Sequence, residues 1–426
     1  MEIVKRTTVL EKPHGLAILT ADEGSCPLDS GLDLSADDAD YDALLKRLEG
    51  RVASLRSDVA SEHRAGAVLW AELESLLHEH RALLVANVPR FARWGLYDRL
   101  VTESTERLSD EPLDSLYLAE LAEDIATRLP ARYGPLRADY EVSALLVQAN
   151  ASRRLRNFTS AGRLIAAARE RLSSSSGDPL VKAALLEERA AFHKDVGDLS
   201  RALYDLDGAA RIHREIGNRV QEGELRLLRS DILGVLRPIS GLEELERSLD
   251  LVSVDDSPWI ELEATHCRIR LLAEIGEPWR AWDLLEESRP LYRGFEQARV
   301  RAMRLWLEGR VLRGMGDLEE AEIRCRRALI GLGQLGLTRE ALRCSLDLAG
   351  AAWSIGGHVN QRRAQGILAR GLSEVIALGF QDDVQARWTC LAVAGVAPTL
   401  QRHVVDGLLR NWSRTRAVPA SHLFHF

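Results

Sequence analysis

A spacing of small residues constrains this chain more than any other feature. Ala321 and Ala328 lie seven apart and Gly336 follows eight residues later. The same seven-residue pair recurs as Ser115/Ala122, Ala161/Ala168, Ala202/Ala209, Gly241/Ser248, Ala281/Ser288 and Ala364/Gly371. Successive first members are 46, 41, 39, 40, 40 and 43 residues apart. Seven residues are two helical turns, so each pair sets two small side chains on one face. Antiparallel helices that pack about 8–10 Å apart need such residues where they cross. The spacing predicts an all-α chain of about seven helix pairs with a period near forty.

The punctuation agrees with that register. Asp110-Glu-Pro112, Asn157-Phe158, Gly197-Asp-Leu199, Arg237-Pro238, Gly276-Glu-Pro278 and Gly316-Asp-Leu318 stand at one offset before each small pair. Proline at the first helical position loses only an N–H that has no intrahelical partner. In the last repeat the turn at Gly356–Gln361 is expected to be three residues longer. Between repeats, Asp178-Pro179 and Ser257-Pro258 read as N-caps followed by proline, and Gly217, Gly336 and Gly379 as left-handed C-caps. Ahead of the array, one helix is predicted from Tyr41 on Leu44, Leu45, Leu48, Val52 and Leu55. A second is predicted on Val68, Leu69, Leu73, Leu76, Leu77, Leu83 and Leu84.

These readings divide the chain into a flexible acidic head at 1–36 with one possible short strand at 16–19, N-terminal capping helices at 37–90, the repeat array at 91–379, and C-terminal capping helices with a tail at 380–426. Two helices, near 382–394 and 399–412, are expected to cover the far end, because a repeat array must close its last apolar face. An array also escapes the size limit of about 250–300 residues on a single core.

Charge and motifs exclude several functions. The net charge is −8, and residues 13–45 hold eight acids with no Lys or Arg, so the remaining chain is neutral. A neutral body lacks the basic stripe that direct nucleic-acid binding requires. No run of 18 apolar residues suggests a membrane span, and no secretory leader is recognisable, so a cytoplasmic location is expected. Five scattered cysteines offer neither a disulfide framework nor a CxxC site. His78 and His80, two apart, do not share a helix face. No phosphate-binding loop, nucleophile elbow or HExxH occurs. No metal, no cofactor and no enzymatic activity are expected.

The Gly-Asp-Leu-x-x-Ala of 197–202 and 316–321, followed seven residues on by another small residue, resembles the tetratricopeptide repeat. Ala149, Ala190, Gly309 and Ala349 fill the family's small slot on helix A. Leu186 and Leu305 stand where the family usually has Trp, Arg229 and Ile269 depart from its pattern, and the period is near forty instead of thirty-four. The resemblance is to divergent arrays of bacterial signalling and transcription-regulator proteins, some of which sense peptides. The stretches at 81–96 and 304–322 are similar to bacterial relatives that sometimes carry an N-terminal helix-turn-helix, which is not recognisable before residue 90 here.

The resemblance implies a right-handed α-solenoid whose concave wall is lined by the first helix of each pair, and a role as a protein–protein interaction module. An alternative is a peptide- or ligand-responsive regulator; an enzyme built on a helical toroid ranks below both. Projecting the register gives Asn150, Arg153, Arg154, Glu187, Lys194, Arg226, Ser230, His266, Arg270, Trp306, Arg310, Arg313 and Trp353 as groove positions. Seven of these thirteen are Arg or Lys, against 56 in the 426-residue chain. Such a lining suits a peptide or protein partner with acidic groups, because guanidinium forks grip carboxylates. The same arginines could instead pair with acids on their own helices. Residues 13–45 match that groove in charge and are tethered to it. Trp259, Trp279 and Trp282 are expected in the seam between repeats, whereas Trp306 and Trp353 are open to either groove or core.

Overall fold

A computed structural model describes residues 38–108, 110–251 and 258–377. The acidic head, the strand at 16–19, Ser257, Gly379 and the helices expected after residue 380 with Trp388 and Trp412 lie outside the described residues. The described residues hold seventeen α-helices and no strand. They fall into two compact units, divided between Asp195 and Val196.

The first unit contains α1 (Asp38–Glu74), α2 (His78–Asn87), the pair α3 (Trp94–Arg107) and α4 (Pro112–Arg128), the pair α5 (Leu136–Arg154) and α6 (Phe158–Arg171), and α7 (Pro179–Val196). The two helices expected ahead of the array break later than the apolar pattern suggests. α1 runs unbroken to Glu74, and the interruption falls at Ser75–Leu77. Gly66 does not stop α1 because its missing side chain is used in packing. A Cβ there would lie 2.1 Å from the carbonyl oxygen of Gly95 on α3, so the two backbones touch. Arg81 then closes the end of α1, donating from Nε to the Leu73 carbonyl at 2.9 Å and from Nη2 to the Glu74 carbonyl at 2.6 Å. Val68, Leu77 and Leu83, counted in the apolar pattern, are exposed.

The second unit contains α8 (Leu199–Glu215) and four pairs: α9 (Arg219–Leu236) with α10 (Pro238–Leu249), α11 (Pro258–Glu274) with α12 (Pro278–Glu287), α14 (Ala298–Met315) with α15 (Leu318–Gln334), and α16 (Thr338–Ile355) with α17 (His358–Ala377). A short helix, α13 (Arg289–Arg293), follows α12. All fourteen small residues of the spacing are buried. At one crossing a Cβ on Gly309 would meet Cys325 Sγ at 2.5 Å and the Ala321 carbonyl oxygen at 3.1 Å. The B helices begin where the turn residues place them: Asn157, Asp198 and Asp317 accept from the backbone N–H groups of Ser160, Arg201 and Glu320 at 3.0, 3.1 and 3.3 Å. Gly316, at φ +91°, takes the left-handed conformation that lets α14 turn into α15.

Two sequence expectations are corrected. The insertion before Ala364 does not lengthen the turn: α17 starts at His358, and the three extra residues form nearly one more helical turn at its beginning. Trp279, expected in the seam, is 64% exposed. It occupies the second position of α12, where Ile239 and Val359 of α10 and α17 are also exposed. Trp259 and Trp282 do pack against the core of their unit, Trp259 edge-on to Phe295 at 5.4 Å.

Candidate functional site

In the second unit the A helices α9, α11, α14 and α16 carry one connected polar ladder. Arg270 on α11 reaches Asp231 of α9 at 3.0 Å and Glu274 one turn along its own helix at 3.1 Å. Glu274 also takes Arg310 of α14 at 3.0 Å. Arg310 in turn reaches Asp347 of α16 at 3.3 Å, and Asp347 holds Arg313 at 3.1 Å. Trp306 Nε1–H donates to Asp347 at 2.8 Å, and the Arg310 guanidinium lies 5.9 Å from the Trp306 ring centroid. Three guanidiniums and three carboxylates thus alternate across four helices.

Burial opposes the charge on Arg270 and Arg310, but the adjacent carboxylates outweigh it and hold both guanidiniums above the ordinary arginine range. His266 stands beside this ladder with Nδ1 3.0 Å from the Tyr292 hydroxyl. Burial first, and then the Arg270 charge, push its pKa down to about 4, so the ring is neutral at pH 7. The most accessible cation of the three is Arg313, at 28% side-chain exposure against 12% for Arg270 and 16% for Arg310.

The first unit has its own cluster. Arg153 of α5 donates to Glu188 of α7 at 3.1 Å and to Asn150 at 2.8 Å, and pairs with Asp195. Burial pushes the Glu188 carboxyl up, against the pull of Arg153. Arg154, Glu187 and Lys194 are half-buried on the same two helices.

The register thus brings Arg270, Trp306, Arg310 and Arg313 into one connected set, with His266 against it, and Asn150 with Arg153 into another. It misplaces two residues. Ser230 is fully buried at a helix crossing, where its hydroxyl donates to the Gly241 carbonyl at 2.8 Å. Arg226 turns toward the B helix, pairing with Glu244 of α10 at 3.0 Å and with Glu222 at 3.0 Å. Glu244 is nearly sealed, and Arg229 and Arg247 complete a three-cation ring around it. Trp306 and Trp353 are 8% and 6% exposed, so neither offers a free ring face. Asp231, Glu274 and Asp347, which organise the ladder, were not among the residues projected from the sequence. Among the described residues no group of three His, Cys, Asp or Glu side chains is arranged to hold a metal ion. His78 instead lies 3.7 Å from Asp114 and against the Tyr117 ring.

No protein-family model matches the chain, and no curated protein does. Solved structures do. The chain is similar to a Rap protein complexed with competence and sporulation factor, with a TM-score of 0.57 at 12% identity over 74% of this chain and 85% of that one. It is also similar to NprR in complex with its cognate peptide NprX, with a TM-score of 0.51 at 12% identity over 77% of this chain and 87% of that one. With the seventeen helices and the buried small-residue register, this likeness makes the fold a divergent tetratricopeptide-like α-solenoid. No helix among the described residues is long and apolar enough to cross a membrane.

Proposed function

We propose that this chain is a peptide-binding interaction module of the signalling-regulator kind, without enzymatic activity and working in the cytoplasm. The single observation that carries the reading is the ladder from Asp231 to Asp347, which places alternating charged groups across four successive A helices. The two similar structures were both solved with a signalling factor or peptide bound, which supports the same reading for this fold.

The ladder narrows how a partner's acidic groups are read. Arg270 and Arg310 are each committed to two carboxylates, and removing either cation from its partners leaves buried charge behind. Arg313 is different: it has one carboxylate partner in Asp347 and the largest exposure. A peptide carboxylate is therefore proposed to meet Arg313, with Asp347 keeping Arg310 and Trp306. Asn150, Arg153, Arg154 and Lys194 form a separate candidate surface in the first unit.

The test is a random-peptide display screen against the full chain, followed by titration of the enriched peptides. Arg313→Glu is expected to weaken them by about 2 kcal/mol or more, the cost of disturbing a hydrogen-bonded charge pair in a binding site, while Arg313→Lys keeps part of the affinity. Absence of any saturable peptide, or equal affinity for wild type and Arg313→Glu, defeats the reading.

A further inference from the structure

A second candidate site lies in the last two repeats and uses none of the ladder's residues. α15, α16 and α17 line a cleft of about 670 Å³. Its floor is apolar, with Leu329 from α15, Leu348 from α16 and Ile367 from α17. Gly333 lines it on α15, where an added Cβ would meet nothing within 4 Å and so would enter open space.

The rim has the opposite character. Arg326 of α15 and Arg363 and Arg370 of α17 all line the cleft. Glu322, itself nearly buried, pairs with Arg326 and holds Arg363 at 2.6 Å. Three guanidiniums thus line the cleft, two of them, Arg326 and Arg363, sharing the Glu322 carboxylate, and Arg370 is exposed. The volume falls in the range of small-molecule sites, about 300–1,000 Å³. An apolar floor favours a hydrocarbon that leaves water, and guanidinium groups with spare donors favour a carboxylate or phosphate.

We propose that this cleft binds an amphipathic anion: an apolar chain of about ten carbons or its equivalent in bulk, ending in a carboxylate or phosphate held by Arg370 and Arg363. A free acyl carboxylate and the C-terminus of an apolar peptide share that chemistry. None of the ladder's residues lines the cleft, so loss of binding in a cleft variant does not by itself bear on the peptide reading.

Isothermal titration of the full chain with decanoate, and with a short peptide ending in Leu-Leu, distinguishes the two sources; 1-decanol is the uncharged control. At least one anion should bind saturably at one per chain, and at least about tenfold more tightly than decanol. Gly333→Leu puts an apolar side chain into the cleft from a better helix former and should weaken the bound anion by at least about tenfold while melting at or above wild type. Arg370→Glu, on an exposed position, should weaken it by about tenfold as well, and decides the matter if Gly333→Leu does not fold. No saturable binding of either anion, or affinities that both variants leave unchanged, overturns the proposal.

Discussion

Replacing Arg310 with methionine keeps most of the side chain's bulk and removes the cation that ties α14 to both neighbouring A helices, α11 through Glu274 and α16 through Asp347. Breaking a buried ion pair by removing one partner costs about 3–5 kcal/mol, because a charge is left without compensation in a poorly solvated place. The surroundings of the two abandoned carboxylates set the position in that range. Glu274 keeps Arg270 at 3.1 Å. Asp347 keeps Arg313 at 3.1 Å and the Trp306 Nε1–H at 2.8 Å. Neither acid is orphaned, so the expected loss is at the lower end, about 3 kcal/mol. Arg313→Met disturbs only Asp347, at a position that water reaches, and should cost about 1 kcal/mol or less.

The assay is urea unfolding of the full chain followed by circular dichroism. Repeat arrays can lose cooperativity, so the comparison is made on the transition that both variants displace, at unchanged slope. The expected signature is a difference of about 2 kcal/mol between two arginines three residues apart on one helix. A second leg fixes the cause: adding Asp347→Asn to Arg310→Met should lower the further cost of removing Arg310, because one of the stranded charges is gone. Equal losses from Arg310→Met and Arg313→Met, or a loss at Arg310 below about 1 kcal/mol, would refute the argument that the ladder is structural at its centre and exchangeable at its edge.

Three further outcomes are expected. Gly95→Ala places a Cβ 1.9 Å from the Glu62 carbonyl oxygen and should cost about 3 kcal/mol by forcing α1 off α3, whereas Gly50→Ala, with open space around it, should stabilise by about 0.5–1 kcal/mol; thermal melts of the two variants check the contrast. Trp279→Ser should leave stability within about 0.5 kcal/mol while Trp282→Ala costs about 2–3 kcal/mol, and a large loss at Trp279 would mean that its ring is covered. His266, held at about 4 against an ordinary 6.5, takes up its proton in the unfolded chain but not in the folded one between those values. Its contribution is therefore complete above pH 6.5 and declines as pH falls toward 4, by about 2 kcal/mol at pH 5. His266→Gln should flatten that part of the urea-midpoint profile, and an unchanged slope between pH 7 and pH 5 counts against the assignment.

The fold was legible in the sequence because its determinants are local and periodic. Ala321, Ala328 and Gly309 are small for one reason, the close crossing of two helices, and that reason recurs about every forty residues. Turn chemistry repeated it independently through Asp317, Asp198 and Asn157. Two misreadings came from taking a local signal alone. The longer interval before Ala364 looked like a longer loop, but residues 358–360 continue as helix. Trp279 looked like seam because of its size, yet its place in the first turn of α12 faces it outward.

The candidate site was half legible, for a reason that can be stated as a rule. Projection along the register found which helix face carries Arg153, Arg270, Arg310 and Arg313, but a face says nothing about what answers each charge. The partners sit on the neighbouring A helix, and the sequence separations betray it: Arg153 to Glu188 is 35 residues, Arg270 to Asp231 is 39, Arg310 to Glu274 is 36 and Trp306 to Asp347 is 41. Each is close to one repeat period. In a stacked array, residues one period apart are neighbours as surely as residues four apart in a helix, because successive A helices stand side by side. Each arginine of the ladder has an acid about one period away, and Arg313, with a single partner in Asp347 and the most exposed side chain of the three, is the one proposed to meet a ligand.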